Sequence, residues 1–157
     1  MNFKSQICTS KEQSERLLGL GLKKETADMS YFHTVGFEGN DLWLPSLSPY
    51  ENVVKAPNYG EKTKIYLKSH TIPAWSLHRL IEIMPKRIKN LKEDWDMCGH
   101  DIAFVITEEL DVNYEEPFED EPCYNKYFYE GNLYDKIVNS IEWLIQKGYF
   151  NKKYLKD

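Results

Sequence analysis

At 157 residues, with 41% hydrophobic and 29% charged side chains, the chain has the size and make-up of one ordinary globular domain and lies far from the disordered class. Three cysteines, Cys8, Cys98 and Cys123, lack any CxxC spacing and argue against a disulfide framework, and neither a signal peptide nor a run of about 18 apolar residues is present, so a cytoplasmic protein with no membrane contact is expected. The net charge of −5 is unevenly spread: residues 1–92 hold 14 Lys/Arg against 9 Asp/Glu, and residues 93–157 hold 6 against 16.

The first element in chain order is a short helix in TSKEQSERLLGLGL, where Ser10 and Gln13 have capping-box spacing and Gly19 or Gly21 offers a stop. Ser30–Val35 reads as a strand, followed by a turn at GFEGND and a second strand at Leu42–Leu44. From Pro45 to Gly60 the chain has three Pro, two Ser and two Asn and no clean periodicity, which predicts a long loop or insertion. TKIYLK alternates Ile65 and Leu67 with Lys64, Tyr66 and Lys68 and predicts a strand with one wet face.

In PAWSLHRLIEIMP, Ser76 caps a helix striped by Leu77, Leu80, Ile81 and Met84, and Pro85 closes it. KRIKNLKEDWDM, a turn at Gly99 and DIAFVITE read as a hairpin, with Ile102–Ile106 as a central strand. Glu108–Asn125 holds eight acids and no base, the pattern of a solvated loop or of a docking surface for a basic partner. Cys123–Glu130 adds another strand. The last helix is capped by Asn132, carries Asp135 in its first turn and ends at Gly148. Tyr134, Ile137, Val138, Ile141, Leu144 and Ile145 share its apolar arc, and residues 149–157 form a tail. The sum is an α+β fold, one domain over residues 1–157: an antiparallel sheet of about four to six strands with about three helices mainly on one face.

Chemistry-bearing patterns are few. GLGL at Gly19–Leu22 and GFEG at Gly36–Gly39 match no phosphate-binding loop, and no cofactor is expected. Asp94, Asp96, Cys98 and His100 alternate and would point one way on a strand; a metal site there needs a closing ligand such as His70 or Cys123, and lacks the usual ligand spacing. His33, His70, His78 and His100 are scattered and no serine sits in GxSxG, so no catalytic residue is assigned. Lys86, Arg87, Lys89 and Lys92 form a basic cluster suited to a nucleic-acid backbone, or simply to a helix C-terminus. Trp143 falls opposite the centre of the last helix's apolar arc, among Lys136, Asn139, Gln146 and Lys147: either the chain beyond the helix covers it or it anchors a partner. With eleven tyrosines, half-buried rings at edges are expected, and Tyr124, Tyr127 and Tyr129 are further binding candidates.

SKEQSERLLGLGLKKETADMSYFH, PAWSLHRLIEIMP and IEWLIQKGYF resemble segments of small proteins of gut-bacterial (Bacteroides-type) genomes, their prophages and mobile elements. The similarity spans about half the chain in three islands that keep their order. It implies a cytoplasmic bacterial or phage accessory protein and carries over no site residues. The leading expectation is a non-enzymatic protein that binds an unknown protein partner through aromatic and acidic surface, as a monomer or homodimer. The alternatives are a nucleic-acid-associated protein or DNA mimic, and a small enzyme with a site assembled from scattered residues.

Overall fold

The computed structural model describes residues 6–36, 39–55, 58–91, 100–116 and 124–156. The chain divides into two compact units, Met1–Leu80 with Lys152–Asp157, and Ile81–Asn151. The class is α+β, with five α-helices and seven strands in two antiparallel sheets among the described residues.

In the first unit, α1 (Lys11–Gly19) starts where expected. The Gln13 N–H donates to the Ser10 hydroxyl at 3.2 Å, and the Ser10 N–H donates to Gln13 Oε1 at 2.8 Å, so two amide donors at the helix start are satisfied. Strands β1 (Met29–Val35), β2 (Asp41–Ser46) and β3 (Thr71–Ala74) form a sheet of order β2-β1-β3. The first two strands are legible in the sequence; β3 is not, because Pro73 speaks against a strand. Its edge position accommodates a residue with no N–H to donate.

Two expectations change here. The segment 45–60 is not loop throughout: β2 runs to Ser46, and α2 (Tyr50–Val54) follows Pro49, burying Tyr50 and Val54. TKIYLK is not a strand but most of α3 (Glu61–Ser69). Two apolar residues at i, i+2 are too few to set a period, and Glu, Lys and Leu are strong helix formers. In the helix Leu67 is buried against Tyr50 and Val54 while Ile65 turns to solvent, a split that a strand's alternation would forbid. Both helices pack on β3.

Trp75 is fully buried beside β3, and its polar atoms are all engaged. Its indole N–H donates to Thr26 Oγ1 at 2.9 Å, its backbone N–H to Thr9 Oγ1 at 3.1 Å, and its carbonyl accepts from the Thr9 N–H at 2.8 Å. The tail returns to this unit: Leu155 bridges Leu22, and the Lys23 N–H donates to the Tyr154 carbonyl at 2.9 Å.

The boundary between units falls inside α4 (Leu77–Ile83), whose Ser76 hydroxyl accepts from the Arg79 N–H at 3.1 Å. The second unit is a sheet of order β4-β5-β6-β7: β4 (Arg87–Leu91), β5 (His100–Ile106), β6 (Val112–Glu115) and β7 (Asn125–Phe128). The expected β4–β5 hairpin is present as an antiparallel pair, and its Gly99 turn lies outside the described residues. β5 is internal, with Ile102 fully buried and Ala103–Ile106 half-buried. β6 lies inside the acidic run read as a solvated loop. Val112 and Tyr114 are fully buried there, so apolar side chains among the acids set the structure.

α5 (Leu133–Gln146) packs on β6 and β7. Asn132 Oδ1 accepts from the N–H groups of Tyr134 and Asp135, and Asp135 Oδ2 accepts from the Asn132 N–H. Ile137, Val138, Ile141 and Leu144 are fully buried, each contributing about 1.5–3 kcal/mol. No helix among the described residues is long and apolar enough to cross a membrane.

Candidate functional site: an open apolar sheet face

Register decides which side chains of β1 and β2 stand together. Phe32 pairs with Leu44 and Thr34 with Leu42, so these four share one face, while His33, Trp43 and Asp41 occupy the other. The first face is covered unequally. Where it reaches β3, Ser30 and Thr71 are buried near the α2–α3 pair, and the Ser30 hydroxyl donates to the Ser48 carbonyl at 2.8 Å. Beyond that, Phe32 and Leu42 are exposed and Leu44 is 53% exposed. At the boundary between covered and bare sheet lies an open groove of about 300 Å³, lined by Phe32, Val53, Tyr59 and Leu67 with Ser48 and Asn52 as its polar groups.

The same two helices line a second basin of about 440 Å³ with Lys24, Lys55, Lys64 and Lys68, interspersed with Glu25, Glu51 and Glu61. Lys55 pairs with Glu51, and Lys64 with Glu61 at 3.2 Å; the Lys24 ammonium stands 5.0 Å from the Tyr50 ring centroid. A third basin of about 510 Å³ shares Lys24 and Glu25 and adds Lys23 and Lys156.

On the opposite face the fold gathers two histidines that the sequence leaves far apart. The His33 ring centroid is 5.4 Å from that of His70 and 5.1 Å from Trp43, and His70 stacks on Tyr66 at 3.9 Å. His33 Nε2 is 2.9 Å from Asp41 Oδ1, an arrangement that orients an imidazole as a base. Its other nitrogen, Nδ1, is buried with no hydrogen-bond partner among the described residues. Only the pairing of β1 with β2 and β3 reveals this cluster; its spacing in the sequence carries no signal.

The residues singled out from sequence fall elsewhere. Trp143 is 9% exposed, enclosed by the rings of Tyr114, Phe128 and Tyr149 at 5.8, 6.0 and 5.9 Å. This corrects the partner-anchor reading: the residues after α5 and the sheet beneath it cover the ring. Tyr127 and Tyr129 are exposed and stacked on each other at 5.1 Å, and Tyr124 is half-buried. Tyr129, 63% exposed, has its phenol pushed above the ordinary value by desolvation, by coupling to the neighbouring Tyr127 phenol and by the Asp111 carboxylate. Arg87 and Lys89 stand exposed on one side of β4. Lys86 donates to the Ile81 carbonyl and sits 5.6 Å from the Phe104 ring centroid, with desolvation lowering its pKa. Lys92, Asp94, Asp96, Cys98 and Cys123, and the side chain of His100, lie outside the described residues. Among those described, no group of three His, Cys, Asp or Glu is placed to hold a metal ion.

No family model matches the chain, and no curated protein and no solved structure shows significant similarity to it.

Proposed function

We propose that the protein is a non-enzymatic protein-binding module whose first unit docks a partner polypeptide on the open face of β1 and β2. The observation that carries this reading is the row Phe32, Leu42 and Leu44, exposed on one sheet face, with Phe32 also lining an apolar groove. Contiguous exposed apolar surface is costly in water and is characteristic of interaction sites. The adjoining groove offers depressions in which a partner's side chains can be desolvated.

A photo-crosslinking residue at position 44, in protein expressed in the source cell, tests the reading. The expected result is a discrete polypeptide adduct that survives nuclease and is absent when the crosslinker is moved to exposed Glu109. Absence of an adduct at 44, or its loss on nuclease treatment, overturns it.

A second docking surface is supported by the stacked, exposed Tyr127 and Tyr129 in a unit that carries 7 Lys/Arg against 16 Asp/Glu. Aromatic rings within an acidic field suit a basic segment through cation–π and Coulombic attraction. Double substitution of both tyrosines by serine, read by loss of binding to an Arg-rich peptide, tests this second surface.

A further inference from the structure

The docking face is apolar, yet the unit that bears it is basic: it carries 13 Lys/Arg against 9 Asp/Glu, a balance of +4 in a chain of net charge −5. Part of that positive charge sits on the helix pair that borders the groove. Val53 and Leu67 line the apolar groove, while Lys55, Lys64 and Lys68 of the same α2–α3 pair line the neighbouring basin. Across the two basic basins six lysines accompany three glutamates, and the two basins share Lys24. Lys55 and Lys64 are each matched by a carboxylate; Lys68 and Lys156 have none within ion-pair distance among the described residues.

From this charge complementarity we infer that the occupant of the face is an acidic polypeptide segment, its apolar side chains seated over Leu44 and in the Phe32–Val53–Leu67 groove and its carboxylates directed to the lysines of α3 and the basin beside it. The inference rests on the docking reading above and specifies the partner's chemistry. Apolar contact supplies most of the affinity, and the lysines supply orientation, encounter rate and rejection of basic segments.

The test is panning of a displayed random-peptide library on the intact protein, with counter-selection on Leu44→Asp, an exposed position whose variant is checked for an unchanged melting curve; Leu42→Asp serves as the second control. The expected result is enrichment of peptides that combine leucine or aromatic residues with Asp or Glu. Their binding is lost in Leu44→Asp, falls about tenfold in Lys64→Glu/Lys68→Glu, and weakens with added salt. Leu44-dependent peptides with no acidic bias, or with affinity unmoved by the lysine reversal, overturn the acidic partner and leave the docking face standing. Failure to enrich any Leu44-dependent peptide overturns both.

Discussion

The ring of Tyr149 stands 5.9 Å from that of Trp143, at an interplanar angle of 44°. A residue on the polar side of α5 is thereby roofed by the chain just beyond that helix, where the Tyr149 N–H donates to the Leu144 carbonyl at 2.8 Å and turns the backbone back. Tyr114 and Phe128 complete the enclosure from the sheet. Trp143→Ala is expected to cost about 3–5 kcal/mol, because a large aromatic is removed from a site walled by other rings. Urea unfolding followed by far-UV circular dichroism measures it, and a loss below about 1 kcal/mol contradicts the enclosure.

Thr26 is a relay. Its hydroxyl accepts from the Trp75 indole at 2.9 Å and donates to the Lys23 carbonyl at 2.6 Å. Thr26→Val keeps the shape and removes both bonds, leaving a buried indole N–H with no acceptor. A loss of about 1–3 kcal/mol is expected, whereas Thr26→Ser, which retains the hydroxyl, should lose less. Equal losses for the two variants would contradict the relay.

Two glycines with left-handed backbone should respond unequally to alanine. At Gly39 (φ 77°) an added methyl meets open space and the cost is about 1–2 kcal/mol of backbone strain. At Gly131 (φ 83°) the same methyl lies 2.5 Å from Asp135 Cβ and Oδ2, so the carboxylate that caps the Asn132 N–H must move. Gly131→Ala should therefore exceed Gly39→Ala by about 1 kcal/mol, the worth of a helix cap, in paired thermal melts.

The Tyr114 phenol donates to the Pro85 carbonyl at 2.6 Å, and burial pushes its pKa far above the ordinary value. Its folded pKa is raised, so its contribution to stability is complete below the unfolded value near 10 and declines as pH rises beyond it. Ultraviolet titration at 295 nm should show at least one tyrosine that ionises only on alkaline unfolding, and Tyr114→Phe should flatten the fall in stability between about pH 10 and 11. Ionisation of every tyrosine in the folded protein would contradict this.

Leu42→Ser and Leu44→Ser together should change unfolding free energy by less than about 1 kcal/mol, since both side chains already face solvent. The same double variant should reduce binding of a fluorescent hydrophobic dye to the native protein. A large destabilisation would show that the two leucines belong to a core and not to a docking face.

The helix ends were written locally. Ser10 with Gln13, and Asn132 with Asp135, satisfy amide donors within one turn, so α1 and α5 begin where spacing alone puts them. The apolar arc of α5 is likewise a property of one segment, and the α+β class follows from such segments taken together. What a few residues cannot carry is a partner distant in sequence. TKIYLK becomes helix because Leu67 meets Tyr50 and Val54, and DVNYEE becomes strand because β5 and β7 flank it. TIPA serves as a strand because an edge tolerates Pro73.

The sites divide in the same way. Residue type and order determined the capped helices and the charge asymmetry. Tertiary structure alone decided that Trp143 is enclosed, that His33 meets His70, and that Leu42 and Leu44 lie bare on the face they share with Phe32. The physical reason is that burial depends on what packs across a face, and the cross-strand register that brings Phe32 to Leu44 is set by pairing between chain segments, which no local pattern encodes.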